Sequence, residues 1–367
     1  MIKLTYTKLV ALLCLVLSLG VITSCEKEED PNSGKVELLS FGPTGANHGD
    51  TLRFIGNNLD KVTAIVFTGT DATVEKAAFK QQNSNLILVI VPQAAEKGYV
   101  TLKTPDGDVV SKTVLNLGVT AVLTSFTDEA RPGSNITLNG EYLNWIERIT
   151  FKDNKTVSNF VSKTFNQLVV TVPEDAQTGP LVIFYGGTDS LEIETTDTLT
   201  VTLPMATSFS PNPVKHAENV PITGTDMDLV RKVIVTGVST PVTSFVSQSA
   251  TQLVVQVPGG AKDGTIQLEA ASGVRTTSSV ALGLVWPNVT NMSPNPVDPG
   301  ANLTITGTNL DLVTSITFEN TSAVTSFVSQ SPTQIVVAVP MGVAEGKIKM
   351  GVLNSSVTVM SADILQI

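Results

Sequence analysis

Short stretches in which apolar and polar residues alternate recur along the chain, and they predict β-strands. Leu303 and Ile305 alternate with asparagine and threonine, and a period of two places both on one face of a strand. Leu168, Val170 and Val172 show the same alternation. No long helical period follows residue 30. Short strands punctuated by turn residues are typical of β-sandwiches, so the pattern predicts an all-β fold.

One strand pattern occurs four times, and each copy ends in a glycine. The four glycines, Gly56, Gly140, Gly224 and Gly307, are 84, 84 and 83 residues apart. We interpret this glycine as permitting a backbone turn that a Cβ would resist. A second pattern, an apolar strand closing in Val-Pro, also occurs four times, and we expect its proline to end the strand. These prolines and the glycines six residues after them are Pro92 and Gly98, Pro173 and Gly179, Pro258 and Gly264, and Pro340 and Gly346.

A fixed period of this length indicates an array of similar domains. We predict four, at residues 36–117, 118–203, 204–285 and 286–367. The third and fourth are the most alike, since residues 242–258 and 324–340 are identical at 14 of 17 positions.

The N-terminus carries the features of a lipoprotein signal peptide, predicted at residues 1–24. Lys3 and Lys8 precede a 14-residue apolar run, Leu9 to Ile22, which is short for a transmembrane helix. The run leads into Ile22-Thr23-Ser24-Cys25, which resembles a bacterial lipobox. Lipidation of Cys25 is therefore predicted, and the acyl chains would anchor the protein in the outer membrane. Cys14 lies within the signal, so the mature chain has no cysteine pair for a disulfide.

Residues 25–35 are predicted to form a lipidated acidic tether. The run Glu26-Lys27-Glu28-Glu29-Asp30 has the composition of a solvated linker. It also resembles the surface-export signal of Bacteroidetes lipoproteins, which implies display on the cell surface.

The repeated blocks resemble the IPT/TIG family of immunoglobulin-like domains. The resemblance rests on Gly-x-x-Leu blocks such as Gly56-Asn57-Asn58-Leu59, on Val66-Phe67, and on the later Val-Pro and glycine. It covers residues 36 to 367 and is weakest in the third repeat, where Met227 replaces the leucine and Val235 the phenylalanine. It implies four tandem early-set immunoglobulin-like β-sandwich domains. It does not imply one function, because fold and function separate readily.

The net charge and the candidate catalytic and metal-binding residues narrow the range of possible functions. The net charge is −10, so the sequence offers no basic footprint for nucleic acid. The two histidines, His48 and His216, are interpreted as loop residues on a polar surface, because no clustered metal or triad partners accompany them. Asp226, Asp228 and Asp311 lie in turns that could hold calcium, but the EF-hand ligand spacing is absent, and we interpret these residues as belonging to solvated turns. We predict no catalytic residues, no metal and no cofactor, and therefore no enzyme.

Three short motifs suggest modification, and the first along the chain is Asp50-Thr51-Leu52. Asp189-Ser190-Leu191 and Asp197-Thr198-Leu199 resemble the O-glycosylation site of Bacteroidetes secreted proteins, so Ser190 and Thr198 are candidate glycosylated residues.

The second repeat differs from the others at positions expected to face solvent. Val182 and Phe184 stand where the other repeats have residues such as Thr101/Lys103, Gln267/Glu269 and Lys349/Gly351; Tyr142 and Trp145 are nearby in sequence. Together these four residues are a candidate ligand or interface patch. In the alternative interpretation, Val182 and Phe184 pack against a neighbouring repeat or beneath a loop.

Two functions fit these features. The first is a structural or adhesive rod, or a surface-layer-like module that self-associates. The second is a glycan-binding accessory protein of a polysaccharide-uptake system, with extracellular polysaccharide as its partner.

Overall fold

In every repeat, the strand that contains the first repeated glycine pairs with a neighbouring strand on each side. The computed structural model describes residues 34–186 and 190–367. The strands of the first repeat are β1 (Glu37–Gly42), β2 (Gly45–Ala46), β3 (Thr51–Asn57), β4 (Ala64–Val66), β5 (Thr73–Glu75), β6 (Gln81–Gln82), β7 (Leu86–Ile90), β8 (Thr101–Lys103), β9 (Val109–Val110) and β10 (Asn116–Leu117). Those of the second are β11 (Val122–Phe126), β12 (Glu129–Ala130), β13 (Asn135–Glu141), β14 (Ile146–Phe151), β15 (Lys155–Val157), β16 (Ser162–Lys163), β17 (Gln167–Thr171), β18 (Val182–Tyr185), β19 (Leu191–Glu194) and β20 (Thr200–Val201).

The third and fourth repeats have fewer strands. The third has β21 (Met205–Phe209), β22 (Asn219–Thr225), β23 (Val230–Ile234), β24 (Ser247–Gln248), β25 (Gln252–Gln256), β26 (Gln267–Ala270) and β27 (Arg275–Thr277). The fourth has β28 (Asn288–Ser293), β29 (Asn302–Thr308), β30 (Val313–Glu319), β31 (Ser329–Gln330), β32 (Gln334–Ala338), β33 (Ala344–Val352) and β34 (Thr358–Met360). Single 3₁₀ turns lie at Leu59–Lys61, Lys76–Ala78, Leu143–Trp145, Lys152–Asn154, Met227–Leu229 and Leu310–Leu312.

Each repeat is a sandwich of two antiparallel sheets. The first sheet has the same order throughout: β1-β3-β7-β6, β11-β13-β17-β16, β21-β22-β25-β24 and β28-β29-β32-β31. The second sheets are β5-β4-β8-β9, β15-β14-β18-β19, β23-β26-β27 and β30-β33-β34. Short parallel pairs, β2 with β10 and β12 with β20, accompany the first two sandwiches. This arrangement is immunoglobulin-like, which confirms the predicted fold class.

The residues buried in the core are those that the alternation of apolar and polar residues predicts. Leu303 and Ile305 on β29 are fully buried, and so are Leu168 and Val170 on β17. The apolar residues two and four positions after Gly98, Gly179, Gly264 and Gly346 are all buried: Val100, Leu102, Leu181, Ile183, Ile266, Leu268, Ile348 and Met350. Each late strand, such as β32, ends two residues before its Val-Pro proline. The apolar stripes of two sheets therefore form one core per repeat.

The role of the first repeated glycine differs from the prediction. These glycines lie inside a strand rather than at a turn, as Gly56 does in β3. A Cβ on Gly56 would lie 2.0 Å from the carbonyl oxygen of Glu37 on β1, and one on Gly307 would lie 1.9 Å from that of Asn288. The glycine is needed because a neighbouring strand, which carries a bulge here, passes too close for any side chain.

The chain forms two compact units. One contains the described residues up to Ala121 together with those of Tyr185–Leu191, and the other contains Val122–Phe184 and Glu192–Ile367. Within the described part of the chain, no helix has the length and hydropathy needed to span a membrane.

Candidate binding face of the second repeat

Strand β18 carries the two apolar residues that distinguish the second repeat. Ile183 points into the core, whereas Val182 and Phe184 point from the other face of the sheet and are half-buried. The guanidinium carbon of the exposed Arg148, on β14, lies 3.9 Å from the centre of the Phe184 ring. This is a cation–π contact. The outer face of this sheet therefore presents an aromatic ring beneath a cation.

The other repeats place different pairs at the same position. In the third repeat Lys232 pairs across the strands with Glu269, and their side chains form a 2.6 Å ion pair. The equivalent cross-strand pairs are Ala64 with Lys103 in the first repeat and Ser315 with Gly351 in the fourth. Among these four pairs, the one with Phe184 has the aromatic ring.

Glu269 is a buried charged residue on this outer face. Its carboxylate accepts hydrogen bonds from Lys232 Nζ at 2.6 Å and Arg275 Nε at 2.7 Å, and its side chain is 8% exposed. These hydrogen bonds, that of Lys232 first, hold the pKa of Glu269 below its usual value. The same scaffold position thus accommodates either a satisfied ion pair or a cation over an aromatic ring.

Polar groups lie beside the Phe184 ring. Thr150 follows Arg148 by two residues on β14, so it faces the same side of the sheet. Thr150 pairs with Thr156 on β15, and their hydroxyl oxygens are 2.9 Å apart. Arg148 and two threonine hydroxyls therefore add hydrogen-bonding groups to an apolar surface of Val182 and Phe184.

The four residues predicted as one patch lie in two places. Tyr142 follows β13 with φ 59°, and its ring packs edge-on against Phe165 at 4.7 Å. Trp145 ends the adjacent 3₁₀ turn and is only 6% exposed, so the expectation that it faces solvent is wrong. The equivalent residues Leu229 and Leu312 are buried as well. The turn does not by itself bury its last side chain, because Lys61 at the equivalent position of the first repeat is exposed.

The two residues predicted to be glycosylated lie on the surface. Ser190 and Thr198 are both exposed, and Thr198 lies on an open groove that Phe126, Asp128 and Glu194 also line. Their glycosylation remains a prediction. The signal peptide and Cys25 lie outside the described residues.

Each histidine ring is hydrogen-bonded to a backbone carbonyl oxygen of its own repeat. His48 Nε2 lies 2.8 Å from the carbonyl oxygen of Ala95, and His216 Nε2 lies 3.1 Å from that of Ala261. His216 is buried, which corrects the expectation of a surface loop residue. In the described ranges, no group of three or more histidine, cysteine, aspartate or glutamate residues is arranged to hold a metal ion.

Two of the three aspartates considered for calcium, Asp226 and Asp228, form an ion-pair cluster with Arg131 between the second and third repeats. Arg131 bonds to Asp226 through Nη1 and to Asp228 through Nη2, the latter at 2.7 Å. The hydrogen bond to Asp228 raises the pKa of Arg131 above its usual value, and the charges of both aspartates contribute. Gln177 Nε2 also donates to the carbonyl oxygen of Ser272 at 3.1 Å. Sequence reasoning missed this cluster because its partners are more than 90 residues apart.

The third and fourth repeats meet around Trp286. Its ring packs edge-on against His216 at 4.9 Å, and its Nε1 donates to Asp263 Oδ2 at 2.7 Å. The carbonyl oxygen of Gly259 accepts from Ser356 N at 2.8 Å and Ser355 Oγ at 3.0 Å. Trp286 therefore packs between repeats, as its place beside Pro287 at the start of the fourth repeat suggests.

Comparison with known families identifies the fourth repeat. Residues 287–365 match the model of the IPT/TIG domain. This confirms the resemblance drawn from the repeated motifs, since the other three repeats share the order of its first sheet. Comparison with curated protein sequences finds no match.

Several solved structures are similar in fold. A complex with a xylogluco-oligosaccharide is 17% identical with a TM-score of 0.31, covering 88% of this chain and 75% of its own. A surface glycan-binding protein of Prevotella bryantii is 17% identical with a TM-score of 0.34, covering 46% of this chain and 42% of its own. A glycan-binding protein of a mixed-linkage glucan utilization locus of Bacteroides ovatus, bound to a heptasaccharide, is 14% identical with a TM-score of 0.21, covering 85% and 95%.

Proposed function

We propose that this chain is a non-catalytic cell-surface protein whose second repeat binds extracellular polysaccharide. The observation that carries the proposal is the Phe184 ring on the outer face of β18, beneath the guanidinium of Arg148 and beside Val182. In the described parts of the other repeats, the equivalent outer-face pairs contain no aromatic ring.

The chemistry of this face suits a sugar. An aromatic ring offers a flat apolar surface to the C–H face of a pyranose, and rigid aromatic rings are frequent anchors in binding sites. Arg148 is exposed and carries five N–H donors, so it can turn from the ring towards ligand hydroxyls. The hydroxyls of Thr150 and Thr156 add two further hydrogen-bonding groups nearby. An uncharged polysaccharide therefore fits this face better than a protein segment of high charge.

A non-catalytic role is supported by the surroundings of the candidate acid–base residues. His48 and His216 are each engaged with a backbone carbonyl. Asp226 and Asp228 are engaged by Arg131. Polysaccharide binding requires none of these groups to titrate or to hold a metal.

The proposed location follows from the sequence. Cys25, the predicted lipidation site, would hold the protein at the outer membrane, and the acidic residues after it would favour export to the surface. A surface location brings the second repeat into contact with extracellular polysaccharide.

The test is a glycan array probed with the unlipidated chain from Glu26, followed by calorimetric titration of any oligosaccharide that binds. Phe184→Ala should abolish the binding. Phe160→Ala is the matched control, because Phe160 is another half-buried phenylalanine of the second repeat beside a cation, 5.8 Å from Lys163 Nζ. The control should bind as the wild type does. Equal binding by both variants and the wild type, or no binding to any glycan, would refute the proposal.

A structural role is the second candidate. It is favoured by the contacts that fix successive repeats in the second unit, namely Arg131 with Asp226 and Asp228, and Gly259 with Ser355 and Ser356. Such a module would form ordered assemblies on a lipid support without added glycan, which electron microscopy of the lipidated protein would reveal.

A further inference from the structure

The outer face of the first sheet is aliphatic in the first repeat. Ile55 on β3 and Ile90 on β7 are 41% and 42% exposed, and Leu86 and Leu88 lie half-buried between them. Leu39 lies in the bulge of β1 beside this face and is 59% exposed. We call these five residues the aliphatic face.

The fold does not require large aliphatic residues at four of these five positions, whereas the position of Leu88 is a valine in each of the other repeats. The strand pairings place Thr124, Asn139, Gln167, Val169 and Thr171 there in the second repeat, Thr207, Thr223, Gln252, Val254 and Gln256 in the third, and Thr290, Thr306, Gln334, Val336 and Ala338 in the fourth. The bulge threonine of those repeats donates to a backbone carbonyl, as Thr290 Oγ1 does to Thr306 at 3.1 Å. Leu39 cannot make that bond. The first repeat thus gives up a hydrogen bond and gains exposed apolar surface, which is typical of an interaction surface.

Two cations lie in the middle of the aliphatic face. Arg53 is exposed and pairs across the strands with Leu88, in a position that is Thr137, Pro221 or Thr304 elsewhere. The backbone N–H of Lys80 donates to the carbonyl oxygen of Leu88, and its Nζ donates to Thr51 Oγ1 at 2.9 Å.

The neighbouring carboxylates lie at the ends of this face. Glu37 accepts from Asn57 Nδ2 at 2.7 Å, and Asp50 accepts from the backbone N–H of Asn47 at 2.9 Å. The centre of the face is therefore apolar and positive, although the whole chain carries a net charge of −10.

From this combination we infer that the aliphatic face docks on an anionic lipid surface. Aliphatic side chains partition into the interfacial region of a bilayer, and lysine and arginine add attraction to anionic head groups. A second copy of the same face would bring two sets of cations together.

The inference rests on the proposed surface location, which also sets the geometry. Eleven residues lie between Cys25 and Glu37, so twelve Cα–Cα steps join the two. At about 3.5 Å each, they reach at most about 40 Å. A tether of this length keeps the first repeat at a high effective concentration near the membrane, so a weak contact is sufficient to orient it.

The test uses the unlipidated chain from Glu26 in sedimentation with two kinds of vesicle. One contains phosphatidylethanolamine and phosphatidylglycerol, and the other contains phosphatidylcholine alone. The wild type should sediment with the anionic vesicles, and less so as salt is raised. Replacing Ile55, Leu86 and Ile90 by their fourth-repeat equivalents, as Ile55→Thr, Leu86→Gln and Ile90→Ala, should weaken this binding about tenfold or more. The separate variant Arg53→Thr should weaken it about fivefold.

Three outcomes would overturn the inference. They are no binding to anionic vesicles, equal binding by all variants, and a wild-type dimer in light scattering that the triple variant loses. The last outcome would assign the face to self-association. Because the glycan face lies in the second repeat, all these variants should bind oligosaccharide as the wild type does. Failure of either proposal can therefore be told from failure of the other.

Discussion

The guanidinium carbon of Arg148 lies 3.9 Å from the centre of the Phe184 ring, across the two central strands of one sheet. In the third repeat the same positions hold Lys232 and Glu269, whose side chains form a 2.6 Å ion pair. A constant β-sandwich scaffold therefore carries a variable pair on its outer face. In the second repeat this pair is Arg148 and Phe184, a cation over an aromatic ring.

The enclosed carboxylate of Glu269 should make the stability of the third repeat depend on pH. Its pKa is lowered in the folded state, so its contribution is complete above the unfolded pKa of about 4.3 and is lost as the pH falls through the folded value. Glu269→Gln should cost about 2 kcal/mol at neutral pH, because two cations lose their partner. Urea unfolding at pH 7 and pH 3 should show the difference from wild type shrinking at low pH. The exposed Glu218→Gln serves as control, and a difference that is constant with pH would contradict the assignment.

The Arg131 cluster should stabilise the contact between the second and third repeats in a salt-dependent manner. The three side chains are 39%, 20% and 43% exposed, so Arg131→Ala should cost only about 0.5–1 kcal/mol. Denaturant unfolding in low salt and in about 1 M salt, where the screening length is about 3 Å, should show the loss disappearing. Lys103→Ala, which removes an ion pair within one hairpin of the first repeat, is the control and should leave the second unit unchanged. A cost that persists in high salt would point to packing instead of charge.

The buried position of Trp145 predicts a large effect on folding. Trp145→Ala should destabilise the second unit by about 3–5 kcal/mol, because it leaves a cavity in the core. Trp145→Phe should cost much less. Circular dichroism should follow the unfolding in both variants, because Trp286 lies between the third and fourth repeats and does not report on the second. An unchanged unfolding midpoint for the alanine variant would mean that Trp145 faces solvent after all.

The close approach of β1 to Gly56 predicts that any side chain there is harmful. Gly56→Ala should cost about 1–3 kcal/mol, since the new Cβ must displace a backbone carbonyl. Gly42→Ala, in the adjacent strand, is the control, because a Cβ there would meet nothing nearer than 3.9 Å. Thermal unfolding of both variants would measure the difference. Equal melting temperatures would show that the strands can separate at no cost.

Much of the fold follows from the sequence because each apolar alternation, such as Leu303 and Ile305, is a local property. The repeated Val-Pro and glycine spacing extends that local information to four sandwiches. The reason for Gly56 could not be predicted, because the carbonyl of Glu37 comes from a strand some twenty residues away. The burial of Trp145 could not be settled by comparing the repeats, since the equivalent positions hold the apolar Leu229 and Leu312 but also the charged Lys61. Arg148 could not be predicted from the sequence, because its role depends on Phe184, which lies across the sheet from it.

The most direct test of the central claim is to exchange the pair on the outer face. The double variant Arg148→Lys, Phe184→Glu reproduces the Lys232–Glu269 pair that the third repeat accommodates, so it should fold as the wild type does. Calorimetric titration with an oligosaccharide that binds the wild type should then show no binding by this variant, although its circular dichroism and unfolding midpoint are unchanged. If the folded double variant binds the oligosaccharide with wild-type affinity, the Phe184 face is not the glycan site.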